Sequence, residues 1–133
     1  MDNNFLLYVE DDSSNRLVMK LLMEKILHTK NYVIFEDSAN FMSRVRNLPA
    51  RPTIFMLDIH IAPLNGFQLL HLLRQDSGYY DSKIIALTAS VMNEEVKRLR
   101  ESGFDGAISK PITLSTFPKV IDSILNGESV WQI

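Results

Sequence analysis

Short apolar runs that lack polar alternation recur along this 133-residue chain and leave few folds open to it. The run Thr53-Ile-Phe-Met-Leu-Asp58 ends in a carboxylate, and the turn-forming residues Ala62-Pro-Leu-Asn-Gly66 follow shortly after. Apolar residues on both faces of a strand are typical of a parallel sheet that helices cover on both sides. We therefore predict a buried strand that ends at Asp58, with this carboxylate at the sheet edge where open α/β sheets bind ligands.

The apolar runs alternate with segments whose apolar residues recur at helical spacing. Strands are predicted at residues 5–9, 31–35, 53–58, 83–87 and 106–109. Helices are predicted after a cap at Ser13 or Ser14, after a cap at Asp37 or Ser38, over residues 67–74 and 94–102, and from near Ser115 onward. This alternation predicts one α/β domain over residues 1–133, doubly wound around a five-stranded parallel sheet with helices on both faces. Residues 126–133 are expected to form a short tail, whose Trp131 either packs back or meets a partner.

Two of the predicted helices differ in the apolar surface that they can bury. The first carries an apolar stripe that is expected to face the core, formed by Leu17, Val18, Leu21, Leu22 and Ile26. The fourth, capped by Ser90 or Asn93, offers only Val96 and Leu99. So thin a stripe predicts a weakly anchored and mobile fourth helix.

The composition restricts the possible partners and compartments. The chain has 14 basic and 16 acidic side chains, so its net charge of -2 provides no electrostatic footprint for nucleic acid or for an anionic membrane. The absence of cysteine excludes disulfides and thiolate metal sites. The amino terminus lacks the features of a signal peptide, and no apolar run approaches the length of a membrane span. We expect a cytoplasmic protein that binds neither nucleic acid nor membranes.

Charged and polar side chains follow several of the predicted strands and should meet at one edge of the sheet. They are Glu10, Asp11, Asp58, Thr88 and Lys110. Carboxylates gathered this closely repel by about 4 kcal/mol per pair at an effective dielectric near 20, so either one of them takes a proton or a divalent cation joins them. An all-oxygen set favours Mg²⁺, which prefers a phosphate as a further ligand. Lys110 and the Thr88 hydroxyl can bind phosphoryl oxygens, while Asp58 can act as a nucleophile that forms an aspartyl phosphate.

Four short motifs stand in order at the ends of these strands: Val9-Glu-Asp-Asp12, Leu57-Asp-Ile59 with Asn65-Gly66, Ala86-Leu-Thr-Ala89 and Ser109-Lys-Pro111. In these residues the chain resembles the receiver domain of bacterial two-component response regulators. Thr88 lies thirty residues after Asp58 and Lys110 fifty-two, as in that family, and the similarity extends over nearly the whole chain. The resemblance implies a flavodoxin-like sheet with the strand order 2-1-3-4-5. It also implies a Lys110–Pro111 bond at a position that is often cis.

The resemblance assigns the phosphoryl acceptor and the metal ligands. Asp58 is expected to accept a phosphoryl group from a sensor histidine kinase or a histidine phosphotransfer protein. Mg²⁺ is expected to be held by Asp11, by Asp58, by the backbone carbonyl of His60, and by Glu10 through a water molecule.

The resemblance also assigns the phosphoryl-binding groups. Thr88 and the backbone of Ala89 are expected to bind the phosphoryl oxygens, and Lys110 to pair with them. The small side chain of Ala89 leaves access to the site. His60 and Ser90 occupy positions that in the family influence how long the phosphoryl group survives.

Two departures from the family pattern bear on how a signal could leave the site. The proline expected four residues after the acceptor is Ala62, and Pro63 follows one position later. The aromatic residue expected three positions before the lysine is Ala107. A signal that in the family involves this ring must therefore travel through the loop after Thr88 and the fourth helix.

These observations favour a phosphorylation-dependent signalling switch, with at most slow self-phosphorylation and self-dephosphorylation, that acts on an unidentified target by protein contact and has no output domain in this chain. By resemblance, the partner or homodimer face is the fourth helix, the last strand and the last helix. One alternative is a degenerate receiver, or a receiver fragment of a hybrid kinase, that acts as a docking module. Another is an aspartyl-phosphate phosphatase of the haloacid-dehalogenase type, which needs a second acid where this chain has His60. A flavin-binding protein is disfavoured because the acidic run after the first strand would repel the flavin phosphate.

Overall fold

The computed structural model describes residues 4–89 and 92–133, and within these ranges it shows a six-stranded parallel sheet covered by helices. The strands are β1 (Leu6–Val9), β2 (Tyr32–Phe35), β3 (Ile54–Asp58), β4 (Lys83–Thr88), β5 (Gly106–Ser109) and β6 (Val130–Gln132). The α-helices are α1 (Ser13–Leu21), α2 (Phe41–Arg46), α3 (Gly66–Gln75), α4 (Asn93–Ser102) and α5 (Phe117–Leu125). A π-helical turn (Leu22–Ile26) continues α1, and a 3-10 turn (Ser77–Tyr79) follows α3. None of the helices in the described ranges is long and apolar enough to cross a bilayer.

The sheet has the order β2-β1-β3-β4-β5-β6, so the predicted doubly wound arrangement is confirmed for the first five strands. Neighbouring strands end near the same level, with Val9 opposite Leu57, Asp58 opposite Leu87, and Thr88 opposite Ser109. Because all the strands run parallel, their carboxyl ends lie along one edge. This register places the residues that follow β1, β3, β4 and β5 next to one another.

Alternate residues of each strand enter two hydrophobic cores, one on each face of the sheet. On one face, β1 and β3 contribute Leu7 and Phe55 to a core that also includes buried residues of α2, α3 and α4. On the other face, the same strands contribute Tyr8 and Met56 to a core with α1 and α5. Strands that are buried on both sides need apolar residues at every position, which explains the apolar runs in the sequence.

The predicted tail at residues 126–133 is wrong in part, because β6 forms within it. Val130 and Trp131 pair in parallel with Gly106 and Ala107 of β5, so the sheet gains a sixth strand. Gly106 permits this approach, since a Cβ there would lie 2.3 Å from the Val130 carbonyl oxygen. Trp131 packs back onto the protein, and the guanidinium of Arg100 in α4 lies 4.6 Å from its ring centroid.

The predicted core stripe of α1 is also wrong in part. Leu17, Leu21 and Ile26 are 57%, 43% and 44% exposed, whereas Met19 and the neighbouring Leu22 and Met23 are buried. The buried face of α1 is centred on Met19, Leu22 and Met23, so Leu17 and Leu21 lie to one side of it. The π-helical turn adds residues to one turn after Leu21, which explains why Leu27 rather than Ile26 packs against the core. The prediction from the sequence had assumed one unbroken helical period.

Helix caps differ from the sequence prediction at three sites. Asp12 rather than Ser13 or Ser14 caps α1, since its side chain accepts a hydrogen bond from the Asn15 N–H. The cap position of α2 is Asn40, whose φ of 51° lies in the left-handed region, rather than Asp37 or Ser38. The cap position of α4 is Met92; Asn93 is the first helical residue, and Ser90 lies outside the described residues.

Candidate functional site

The ends of β1, β3, β4 and β5 bring together the side chains that the sequence placed at one edge of the sheet. Glu10 follows β1, Asp58 ends β3, Thr88 ends β4, and Lys110 follows β5. Glu10, Asp58 and Thr88 are buried, although each is polar. Burial of these groups is costly unless they are paired, so their partners define the site.

Three carboxylates form an acidic cluster that could hold a metal ion. One oxygen from each of Glu10, Asp11 and Asp58 lies within 4.8 Å of the others, with Asp11 exposed and the other two buried. The donor set is all oxygen, which suits a hard cation that retains some of its water. The residues present therefore fit Mg²⁺, and the exposed Asp11 leaves the cluster open to solvent on one side.

The Lys110 ammonium bridges two of these carboxylates. Its Nζ lies 3.1 Å from Asp58 Oδ2 and 3.1 Å and 3.3 Å from the two oxygens of Glu10. Burial alone would lower the pKa of Lys110, but the hydrogen bonds to Asp58 and Glu10 and their charges outweigh it and raise that pKa. Lys110 therefore carries a positive charge that already contacts Asp58, the candidate phosphoryl acceptor.

Further donors hold Glu10 in place. Its Oε1 accepts hydrogen bonds from the Tyr8 hydroxyl at 2.9 Å and the Asn15 side-chain amide at 3.3 Å, and its Oε2 accepts one from the Asp12 N–H at 3.3 Å. Sequence reasoning placed Tyr8 within the apolar run of residues 5–9 and missed its hydroxyl. The available signal was spacing, because residues two apart on a strand share a face. Tyr8 therefore had to point toward Glu10.

Asp58, the second carboxylate of the cluster, is held by a backbone N–H and by Lys110. Its Oδ1 accepts a hydrogen bond from the His60 N–H at 3.0 Å, and Lys110 occupies the other oxygen. Gly66 closes the loop against β3, since a Cβ there would lie 2.9 Å from the Ile59 Cα. The Ala62–Pro63 peptide bond within this loop is cis, at the position where the sequence departs from the family pattern.

On the β4 side of the site, the Thr88 hydroxyl donates to Glu95 Oε1 of α4 at 2.9 Å. The same Glu95 oxygen lies 3.6 Å from His60 Nε2. Ala89, the predicted phosphoryl-binding backbone position, is exposed. Sequence reasoning missed Glu95 because it read α4 as a charged surface helix. No local signal in the sequence relates Glu95 to Thr88.

The structure of β5 and the residues after it bears on two expectations from the sequence, a cis peptide bond before Pro111 and the small residue Ala107. The Lys110–Pro111 peptide bond is cis, as the family resemblance implied. Ala107 is buried at the centre of β5, beside Ala86 of β4 and Trp131 of β6. A methyl group thus occupies the place where the family has an aromatic ring.

Comparisons with known proteins point to one family. A family model described as the response regulator receiver domain matches residues 6–122. The chain is 27% identical over 124 residues to the polar-differentiation response regulator DivK of Brucella anthropi, covering 90% of this chain and 94% of that protein. The DivK protein of Brucella ovis is likewise 27% identical, over 120 residues that cover 90% of this chain and 94% of that protein.

Solved structures share the fold at lower identity. The chemotaxis response regulator CheY4 of Vibrio cholerae superposes with a TM-score of 0.79 at 20% identity, covering 91% of this chain and 98% of that chain. A two-component response regulator from Legionella pneumophila superposes with a TM-score of 0.77 at 22% identity, covering 93% of this chain and 99% of that chain. These likenesses show the flavodoxin-like arrangement of strands and helices.

Proposed function

Because the chain belongs to the family of response regulator receiver domains, we propose that it is a cytoplasmic phosphoacceptor that receives a phosphoryl group on Asp58. The observation that carries the proposal is the bridge from Lys110 Nζ to both Asp58 and Glu10, each at 3.1 Å, within the acidic cluster. A cation held against a buried carboxylate at the open edge of a sheet is suited to phosphoryl transfer. Receiver domains interact with histidine kinases or phosphotransfer proteins, and the donor proposed here is a phosphohistidine on such a protein.

In the transfer, a carboxylate oxygen of Asp58 attacks phosphorus, a P–O bond forms, and the P–N bond to the donor imidazole breaks with its electron pair going to nitrogen. The His60 N–H and Lys110 orient the two Asp58 oxygens before attack. Lys110 then follows the developing charge onto a phosphoryl oxygen. Mg²⁺ supplies charge neutralisation when bound. Its proposed ligands are Asp11, Asp58, the His60 carbonyl, and Glu10 through water.

We assign the remaining phosphoryl oxygens to the Thr88 hydroxyl and the backbone of Ala89. Both lie at the end of β4, the strand next to the one that ends in Asp58. The exposed methyl group of Ala89 leaves room for a donor protein to approach. This arrangement supports an acceptor that needs no further residue from its donor to bind the transferred group.

The proposed output is protein contact. A phosphoryl group adds about -1.5 to -2 charge, and such a change typically shifts a coupled equilibrium by about 1 to 3 kcal/mol. The proposed partner or homodimer face comprises α4, the edge of the sheet and α5. At that edge β6 covers β5, so the strand on this face is β6 rather than β5.

The test is phosphorylation with acetyl phosphate and Mg²⁺, read by intact mass. We expect one added phosphate in the wild-type protein, none in Asp58→Asn, and strong suppression when EDTA removes the cation. Asp37→Asn is the matched control, because Asp37 is an exposed acid shortly after β2 at the same edge of the sheet. Equal labelling of Asp58→Asn and wild type would contradict the assignment. Multiple turnover of a phosphate ester would indicate a hydrolase instead.

A further inference from the structure

The Thr88 hydroxyl donates to a carboxylate of α4 in this structure, and this contact carries a further inference that rests on the proposed function. We propose that Glu95 is a positioning residue that competes with the phosphoryl group for the Thr88 hydroxyl. The distance from Thr88 Oγ1 to Glu95 Oε1 is 2.9 Å. Through this contact, the occupancy of Asp58 sets the position of the first turn of α4.

The competition follows from the chemistry of a hydroxyl group. A threonine hydroxyl has one hydrogen, so it donates to one acceptor at a time. An ionised carboxylate and a phosphoryl oxygen are both strong acceptors. Thr88 is fully buried, and its hydroxyl cannot exchange Glu95 for bulk water without a structural change. Binding of a phosphoryl oxygen to Thr88 therefore breaks the contact with Glu95.

The Glu95 side chain borders a cavity into which it can move, and it has a second neighbour besides Thr88. It lines a surface cavity of about 450 Å³ together with His60, Asn65, Phe67 and Arg98. His60 Nε2 lies 3.6 Å from the Glu95 oxygen that accepts from Thr88. The cavity allows the carboxylate to turn away from Thr88, and the adjacent imidazole offers it a partner on the solvent side.

The attachment of α4 makes its first turn responsive to this contact. Within α4, which the structure describes in full, Leu99 is the one buried residue. Leu99 lies one turn beyond Glu95, so the first turn relies on polar contacts such as the one with Thr88. This route from the site to α4 requires no aromatic ring at Ala107.

The test is the affinity for beryllofluoride with Mg²⁺, which mimics the bound phosphoryl group. We expect Glu95→Gln to bind beryllofluoride about two- to tenfold more tightly than wild type, the range for one weakened hydrogen bond. In a Thr88→Val background, the same substitution should change the affinity by less than about twofold, because the competition has been removed. Glu94→Gln is the matched control, since it removes an equal charge from the same helical turn.

The outcomes separate this inference from the proposed function. If wild type neither binds beryllofluoride nor accepts phosphate, the proposed function fails. If wild type does both but Glu95→Gln behaves like Glu94→Gln, the role of Glu95 is wrong while the function stands. An undiminished effect of Glu95→Gln in the Thr88→Val background would overturn the competition and leave a simple charge effect.

A second measurement needs no ligand and covers the case in which Thr88→Val binds beryllofluoride too weakly. Amide hydrogen exchange at Val96, whose N–H donates to the Met92 carbonyl at 3.0 Å in the first turn of α4, should speed up in Glu95→Gln and in Thr88→Val. The double variant should exchange no faster than the faster single variant. Glu94→Gln should leave this exchange unchanged. Additive effects of the two substitutions would show that the side chains act independently, which contradicts the proposal.

Discussion

The Tyr8 hydroxyl sits under the acidic cluster within an otherwise apolar strand. Burial, together with the charge and hydrogen-bond acceptance of Glu10, raises the pKa of Tyr8 far above its usual value. The phenol therefore stays protonated at neutral pH and donates to Glu10. A fixed donor of this kind orients a carboxylate that is proposed to hold a metal-bound water.

We predict that Tyr8→Phe weakens Mg²⁺ binding about two- to tenfold, because Glu10 loses one of the hydrogen bonds that orient it. The measurement is Mg²⁺ titration followed by NMR or calorimetry. Tyr80→Phe serves as the control, since Tyr80 is 78% exposed. Unchanged Mg²⁺ affinity in Tyr8→Phe would show that Asn15, Lys110 and the Asp12 N–H suffice to orient Glu10.

The acidic, threonine and lysine positions could be predicted from sequence because each stands where an apolar strand stops. The structure brings these positions to one edge, and the burial of Asp58 and Thr88 follows from the same strand pattern. Tyr8 and Glu95 could not be predicted in this way. A tyrosine in a core strand is interpreted as a buried aromatic ring, and its hydroxyl is overlooked. Glu95 contacts Thr88 only because of where α4 packs against the sheet.

Pairing between β5 and β6 depends on the absence of a side chain at Gly106. We predict that Gly106→Ala destabilises the protein by about 1–3 kcal/mol, since the new methyl group would overlap the β6 backbone. It should also shift the emission of Trp131, the one tryptophan of the chain, toward the red under native conditions, because β6 separates from β5.

Urea unfolding and native-state fluorescence check these two expectations. Gly78→Ala is the control, because Gly78 lies outside the sheet in the turn after α3. A stability loss in Gly106→Ala without a change in Trp131 emission would indicate that the strain is relieved elsewhere than at β6.

The junction of α2 with the end of α3 carries a charge pair that makes a prediction about pH. Arg46 Nη2 donates to Asp76 Oδ2 at 2.8 Å, and the Gly78 N–H donates to Oδ1 at 2.9 Å. The Arg46 hydrogen bond first, and then that of Gly78, hold the pKa of Asp76 below its usual value. A lowered pKa contributes stability that is present above the unfolded-state pKa and is lost as the pH falls through the lower folded-state value.

We therefore predict that Arg46→Gln raises the pKa of Asp76 toward its usual value and removes part of the stability that is present above the unfolded-state pKa. A carboxyl titration by NMR measures the pKa directly. Arg44→Gln is the matched control on the same helix, because Arg44 pairs with Asp37 instead. If Asp76 titrates identically in wild type and Arg46→Gln, the ion pair does not form in solution.

The missed strand β6 and the misplaced apolar stripe of α1 have physical causes. A strand of three residues such as β6 has too few positions to show a pattern, and its pairing depends on Gly106, far from it in sequence. The apolar stripe of α1 was misplaced because the prediction left out Met19, which lies at the centre of the buried face, and because the π-helical turn breaks the 3.6-residue period before Ile26. The longer elements, whose patterns are unbroken, lie close to where the sequence placed them.

Burial is unevenly distributed across the described residues, and α4 has little of it. Every residue of β3 is buried, and β3 is paired on both sides, by β1 and β4. By contrast, α4 buries Leu99 alone. Its other contacts include the hydrogen bond from Thr88 to Glu95 and two arginine–ring contacts, with the Arg98 guanidinium 3.8 Å from the Phe67 ring centroid and Arg100 over Trp131. Such contacts at exposed sites are worth about 0.5–1 kcal/mol each, which is small beside the burial of a hydrophobic face.

We predict that the amides of α4 exchange with solvent through local opening, at a free energy clearly below that of global unfolding, whereas the amides of β3 exchange only with global unfolding. Helix α5 is the internal control, because it has nearly the same length but buries Phe117, Val120, Ile121 and Ile124. Native-state hydrogen exchange over a series of low urea concentrations measures these free energies: α4 should show little dependence on urea, while α5 and β3 should converge on the global value. If α4 converged with β3, the helix would be as firmly attached as the core, and a single hydrogen bond at Thr88 could not control its position.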